Sequence, residues 1–456
     1  MKETAGQEQK RYRACLQESP RLFRPAEALD WEADIVGRVS RYVLAPVLGV
    51  FAEWVLGQAR RDGRRRLYFL ARDGYLPYQA VRLLCQKRGL SLECRYLCCS
   101  RYSLRVPLFH RLPREETLDY VCRSGVDVTL PKILARAGLD RREADAVRES
   151  LPLSGSGEER LSYAELGEIR RLLADCPLFW EYTDRHSRLA WPGLAGYLRQ
   201  EGLLEEQPDA LVDSGWVGSM QKTLGGALEL LGRTRPLRGY YWGLYELPDG
   251  VRRGDYRSCF FTPEGELREK VFFCNSLFEA IFTAPHGMTL SYRQEGGRFV
   301  PCYAPMAESR TAFVRRLEGL LLPYIARFAE EQAPDEAQQR AELRTVGKLL
   351  ARFMGSPSRE EAEAFGSLPF SDDVLEEAGR QIASPLTETE LTAGHALGRI
   401  RAAAGIKKGG VRDSAWYEGS AVRFSSGPRR HLRQYRLYQY LRHLRKIRGN
   451  RKKGRE

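Results

Sequence analysis

Hydrophobic and polar positions along the 456-residue chain change period several times, and each change marks an element. Within 31–60 the apolar positions Ile35, Val36, Val39, Val43, Leu44, Val47, Leu48, Phe51, Trp54 and Val55 fall at helical spacing. Pro46 inside that stretch predicts a helix start or a kink. A wholly apolar run follows at 67–71 and stops at Arg72-Asp73-Gly74, after which Tyr78, Val81, Leu83 and Leu84 return to helical spacing. A continuous apolar run followed by a tight turn and a helix is the pattern of a buried parallel strand. The same form recurs where Ala210-Leu211-Val212 runs into Asp213-Ser214-Gly215-Trp216-Val217-Gly218 and a second helix. Further strands are predicted at 94–99, 238–244 and 256–262. Gly296-Gly297 between 289–292 and 298–303 predicts a hairpin.

Strand patterns fade between 106 and 205, where Pro131, Pro152 and Pro177 punctuate short helical stretches. Leu153-Ser154-Gly155-Ser156-Gly157 reads as a loop or helix start. From 308 to 404 the pattern is helical again, with Phe313, Leu317, Leu320, Leu321, Tyr324, Ile325 and Phe328 on one face, until Lys407-Lys408-Gly409-Gly410 breaks it. The expected fold class is α/β. It comprises a parallel, Rossmann-like three-layer sheet, a helical insertion and a helical carboxyl-terminal region. The divisions are an amino-terminal arm on the surface (1–30), an α/β core (31–105 plus 206–305), a helical insertion (106–205), a helical region (306–405) and a basic tail (406–456).

Composition adds limits. At 43% hydrophobic and 29% charged the chain is an ordinary soluble one. Glu53 interrupts the longest apolar run, so no transmembrane helix is expected, and the polar first residues lack a signal-peptide core. Ten cysteines without a Cys-x-x-Cys repeat fit buried apolar roles, as for Cys94 and Cys98, in a reducing cytoplasm. The net charge of +14 is concentrated: residues 427–456 carry twelve Lys or Arg and one Glu, a net of +11, which leaves +3 for the rest. In that tail Leu437, Tyr440, Leu441, Leu444 and Ile447 form one helical stripe, with Arg442, Arg445 and Lys446 on the other side. Such a helix either lies peripherally on an anionic membrane surface or docks on the protein's own helical half. Nucleic acid is the disfavoured partner, because the body is nearly neutral and no recognisable binding module accompanies the charge.

Loops at the carboxyl ends of parallel strands are where such sheets bind ligands, so the two acidic loops are expected to face one another across one site. Gly215 and Gly218 allow close backbone approach; a helix amino terminus favours anions; Ser214, Ser219 and Gln221 add hydrogen-bonding groups. Simple helix capping by Asp213 or Ser214 is the competing reading. Arg72 can fork onto a phosphate, and Ser100 and Arg101 end the neighbouring strand beside it. Asp73, next to Gly74, suits a sugar hydroxyl or a metal ion, Mg²⁺ for a phosphorylated ligand; an ion network with Arg101 or Asp213 is the alternative. Glu279, in an apolar helical context, is either a base at the site or half of a buried salt bridge. His286 reads as a turn residue, and Trp216, Tyr241 and Trp242 as core or as stacking platforms. Asp73, Asp213 and Glu279 are the candidate catalytic groups. Strand, acidic loop and helix are also the layout of type I phosphoribosyltransferases.

The stretches 69–75, Ser100-Arg101, 213–221, 278–287 and Trp416-Tyr417-Glu418-Gly419-Ser420, in that order, resemble the carboxyl-terminal region of a bacterial family. Its members are predicted hydrolases of the haloacid-dehalogenase (HAD) type, found with surface-polysaccharide glycosyltransferases. The resemblance runs from about Ala45-Pro46 to Gly419. It implies a role in capsule or cell-wall glycan synthesis, on a phosphorylated or nucleotide-linked sugar. Longer members begin with a segment whose Asp-x-Asp motif supplies the nucleophile, and this chain has no strand leading into Asp-x-Asp-x-Thr. HAD phosphatase activity is therefore not carried over. Two function classes remain from the sequence: an enzyme of hydrolase or transferase type, and a non-catalytic scaffold for glycosyltransferases at the inner face of the membrane.

Overall fold

The structure, a computed structural model, describes residues 5–123, 128–153, 159–370, 380–403 and 414–454. The expected loop at 154–157 and break at 407–410 lie outside the described residues.

Five parallel strands form the central sheet: β1 (Arg66–Leu70), β2 (Glu93–Leu97), β3 (Asp209–Trp216), β4 (Gly239–Leu244) and β5 (Tyr256–Phe261). Their spatial order is β2-β1-β3-β4-β5. Every expected strand is present, and one is longer than its apolar run. β3 continues past Val212, pairing Asp213 with Tyr241, Gly215 with Gly243 and Trp216 with Leu244. Its backbone ladder outlasts its hydrophobic run. The side chains alternate: Leu67 and Phe69 of β1 enter one core cluster, Tyr68 and Leu70 another. Residues are apolar in succession because both faces are covered.

The helices that cover them are α1 (Ala45–Arg61), α2 (Tyr75–Arg88), α3 (Pro177–Gln200), α4 (Ser219–Leu230), α5 (Asn275–Ile281), α6 (Glu308–Phe328), α7 (Glu336–Phe353) and α8 (Pro428–Lys453). α1, α2, α6 and α7 supply one layer, where Phe51, Leu84, Leu321 and Leu349 are buried together. α3 and α4 supply the other through Leu194, Leu198, Leu224 and Leu228. The hairpin β6 (Thr289–Glu295) and β7 (Arg298–Tyr303) packs on α3, with Tyr292 stacked on Tyr197 at 4.4 Å. Between β2 and β3 the helical insertion builds its own small core from Val121, Ile133, Leu134, Val147, Ile169 and Phe179.

One expectation changes. The first thirty residues are not a surface arm: helices Ala5–Leu16 and Pro20–Glu27 bury Leu16, Leu22 and Ala26 in the main core. Arg21 enters with them because Glu342 (2.7 Å) and Glu53 (3.4 Å) offset its desolvation. In the 306–405 region α6 and α7 pack on α1 inside the same cluster. The basic tail is the long, docked helix α8. The stretch Ile35–Arg61 is long and apolar enough to cross a membrane, yet 83% of its apolar window is buried inside the protein. It serves as the central helix of the first layer, and Pro46 sits in the first turn of α1.

β3 is anchored at its start by a buried ion pair. The Arg233 guanidinium donates to both Asp209 carboxylate oxygens, at 2.7 and 2.9 Å, and both side chains are 1% exposed. Removing one partner strands a buried charge. Asp209→Ala is expected to lower unfolding stability by about 3–5 kcal/mol in urea denaturation. A loss under roughly 1 kcal/mol, the range of an exposed pair, would show that the pair does not hold β3.

Candidate functional site

The strand order reverses between β1 and β3. The chain steps outward from β1 to β2, crosses the insertion, and returns on the far side of β1. Such a switch point leaves a crevice at the carboxyl ends of the two strands. Here it is a cleft of about 790 Å³. Asp73 reaches it from the turn after β1 and Asp213 from the end of β3, so both acidic segments line one cleft.

Local sequence explains the geometry. The Ala71–Arg72 peptide is cis. At Gly74 a Cβ would lie 2.5 Å from the Leu70 carbonyl oxygen, so only glycine permits so tight a return into α2. Gly215 takes φ +109°, and a Cβ there would lie 2.6 Å from the Gly243 carbonyl oxygen. These two glycines bring Asp73 and Asp213 to the cleft on short, rigid backbone. Glu279 comes from α5, and the Trp216 indole N–H donates to its Oε1 at 2.6 Å.

Three recessed carboxyls in one cleft cannot all ionise easily. Burial, then Glu279 and Asp213, push the Asp73 carboxyl well above the usual carboxylate range against the pull of Arg72 and Arg101. Burial pushes Asp213 up to about 7, although the Ser214 N–H and Arg101 favour its anion. Around these three acids the cleft is lined by six permanent cations: Arg72, Arg101, Arg123, Arg310, Arg442 and Lys446. The lining is net positive even with every carboxyl ionised, and more so with one protonated.

The proposed ligand set divides. Arg72, Asp73, Ser100, Arg101, Asp213, Gly215, Ser219 and Glu279 line the cleft. Gly74, Ser214, Gly218 and Gln221 do not. Gln221 is a corrected expectation: its amide donates to the Leu237 and Asp255 carbonyls and accepts from the Tyr241 hydroxyl. It ties α4 to the sheet. Gly74 supplies the turn after β1. At Gly218, φ +70°, a Cβ would lie 2.7 Å from the Tyr256 ring, and the residue leads into α4. Ser214 is buried and offers its backbone N–H to Asp213. Ser100 lines the cleft, but its hydroxyl donates to the Thr289 carbonyl (2.6 Å) and accepts from the Ser103 N–H (3.0 Å). It caps the helix Arg101–Arg105, whose first residue is Arg101. His286 is held by the Tyr96 hydroxyl at 2.9 Å and remains a turn residue. Trp242 is core, whereas Trp216 lines the cleft. Trp416 and Tyr417 are fully buried core residues.

Sequence reading missed the opposite wall. Helix α8 lies across the cleft and contributes Gln439, Arg442, His443 and Lys446. It is locked down by the Asn450 amide, which donates to the Tyr245 (2.8 Å) and Pro263 (2.9 Å) carbonyls, and by Lys446 with Glu246 at 3.0 Å. His443 is stacked on Tyr245 at 5.4 Å, and burial beside Arg442, Lys270 and Lys446 lowers its pKa to about 3. It is neutral at physiological pH. Among the described residues, buried His443 Nδ1 and Gln439 Oε1 have no hydrogen-bond partner. The spacing of 439, 442, 443 and 446 was a visible signal, but only as one face of a helix.

Among the described residues no group of three His, Cys, Asp or Glu is placed to hold a metal ion. The donor set fits Mg²⁺ only in the manner of one or two carboxylates supplemented by phosphate oxygens, with Asp73 and Asp213 as the protein ligands. An ion held there would neutralise phosphate charge. The arginines would still orient the ligand, and Glu279 would be the cleft carboxyl left to hold or release a proton.

The raised Asp213 pKa has a sign for stability. The folded state favours the protonated carboxyl, so this contribution is full below the ordinary value of 3.8 and is lost as pH rises to about 7. Asp213→Asn should therefore gain stability over the parent, by on the order of 1–2 kcal/mol, between about pH 4 and about pH 8. Urea denaturation across that range measures it, and parallel pH profiles for the two proteins would refute the assignment.

The chain matches no protein-family model and no curated protein. What the cleft binds therefore rests on its own side chains.

Proposed function

We propose that the cleft binds a phosphorylated or nucleotide-linked sugar, and that the protein acts in surface-polysaccharide assembly in the cytoplasm. The observation that carries this reading is the charge of the lining: six Lys or Arg side chains converge on three carboxyls at a sheet switch point. Phosphate is the common biological anion that uses several guanidinium groups at once. The amino terminus of α4, with Ser219 on the cleft, adds oriented N–H groups to the same anion site. Carboxyls beside these cations suit sugar hydroxyls. The resemblance to HAD-type proteins of polysaccharide loci supplies the pathway. Among the candidate catalytic groups, Asp213, pushed up to about 7, suits proton transfer near neutrality, and Asp73, raised by burial and by Glu279 and Asp213, is the second proton carrier. Glu279, oriented by Trp216, is the third. The reaction class is hydrolysis or transfer at a sugar-phosphate bond, without an aspartyl-phosphate step.

A second reading is a phosphoribosyltransferase-like enzyme. It is favoured by one feature: the acidic ends of two adjacent parallel strands, one continuing into a helix amino terminus, embrace a single cleft. Both readings require a phosphorylated sugar. The scaffold reading does not.

Titration calorimetry with inorganic phosphate, sugar phosphates, nucleotide sugars and a ribose pyrophosphate separates them. Binding of a phosphorylated sugar is expected, and Arg101→Ala should weaken it roughly tenfold to a hundredfold. Asp213→Asn should retain binding and lose about a hundredfold or more in turnover. Polysaccharide output that survives Asp73→Asn and Asp213→Asn in a folded protein, with no phosphorylated ligand bound, would leave the scaffold reading in place.

A further inference from the structure

Helix α8 has two working faces, and only one belongs to the cleft. The stripe read from the sequence is split: Ile447 turns inward, while Leu437 (50% exposed), Tyr440 (37%), Leu441 (50%) and Leu444 (36%) face solvent. These four stand at i, i+3, i+4 and i+7, one continuous apolar patch two turns long. Exposed arginines extend the same face at both ends, Arg430 and Arg433 before the patch, Arg445 and Arg448 after it. None of these four forms an ion pair among the described residues, and 428–454 contains no Asp or Glu. The helix is held to the body by its opposite face, through Asn450, Arg436 and Lys446. The outer face is therefore presented on a rigid mount.

We infer that the outer face of α8 docks on an anionic lipid bilayer. Leucines and a tyrosine between two arginine clusters match the acyl–headgroup boundary, where the apolar side chains insert and the guanidinium groups meet lipid phosphates. A second copy of the chain is the poorer occupant. Pairing the patch with itself would place arginine clusters against arginine clusters in a parallel arrangement, and against the same sign in an antiparallel one. An RNA would engage the arginines but leave the leucines in water. The docked geometry also fixes where the cleft sits. Gln439, Arg442 and His443 line the cleft from the far side of the same helix, so the cleft lies one helix diameter, ~10 Å, from the headgroup layer. Docking does not depend on what the cleft binds.

The test is sedimentation of the full chain with phosphatidylglycerol–phosphatidylcholine vesicles and with phosphatidylcholine vesicles alone. Pelleting with the anionic vesicles only, weakened by added salt, is expected. Because the three leucines touch solvent, the variant L437Q/L441Q/L444Q should fold with an unchanged melting temperature and bind anionic vesicles at least ~tenfold more weakly. R445E/R448E should lose binding through charge alone. Absence of pelleting with anionic vesicles overturns the inference, as does equal pelleting of parent and leucine variant. A concentration-dependent dimer that the leucine variant abolishes, without vesicle binding, assigns the face to a second copy instead. Titration of phosphorylated sugars without vesicles reads the cleft separately, so either result stands when the other fails.

Discussion

Two carboxyls at the ends of adjacent parallel strands repel one another, and much of the structure around them answers to that repulsion. β1 and β3 are hydrogen-bonded neighbours, so the side chains just beyond their ends have little freedom to separate. Bulk water would screen the charges, but the cleft walls exclude much of it. What remains is protonation and cations. Asp73 and Asp213 both bind protons more tightly than ordinary carboxyls, and arginines gather from five parts of the chain. Arg72 comes from the β1 turn, Arg101 from the helix after β2, Arg123 from the insertion, Arg310 from α6 and Arg442 from α8. A site whose parts are so dispersed requires the whole fold to be in place. It also costs stability, because carboxyls held above their ordinary pKa are less stable ionised in the folded protein than in the unfolded chain.

The helical layers can be understood as the support for that arrangement. α1, with α6 and α7 behind it, presses the sheet from one side through a continuous aromatic and aliphatic core. α3 and the hairpin brace the other side, and Ser100 is held by the hairpin's Thr289 carbonyl. The insertion carries its own core, so it can contribute Arg123 to the cleft without disturbing the sheet. Helix α8 closes the circuit. Its charge reads in the sequence as that of a basic tail, yet its inner face is a wall of the cleft, and Arg436, Lys446 and Asn450 pin it to the body.

Much of the fold was legible because its signals are local. Apolar runs of five and three residues with charged turns after them mark β1 and β3, and both acidic segments line one cleft, as the rule that ligands gather at strand carboxyl ends leads one to expect. Where local signals failed, two physical reasons account for it. Polar residues were scored as exposed, so Arg21 was placed on a surface arm when Glu342 and Glu53 hold it inside. Polar side chains near a ligand loop were scored as ligands, but Gln221 is occupied by the sheet and Ser100 by its helix cap.

The amino-acid sequence by itself determined the strands, the insertion, the two acidic turns and the helical stripe of 437–447, since each depends on the period of side chains within one element. Only the tertiary structure decided which distant elements meet. Nothing in the local pattern distinguishes a basic tail from a cleft wall, because helical period gives the faces of α8 but not what each face touches. Nor could the sequence say that Asp73, Asp213 and Glu279 share one charge environment. Electrostatic coupling depends on distance and burial, and both are set by packing between residues 66 to 206 positions apart.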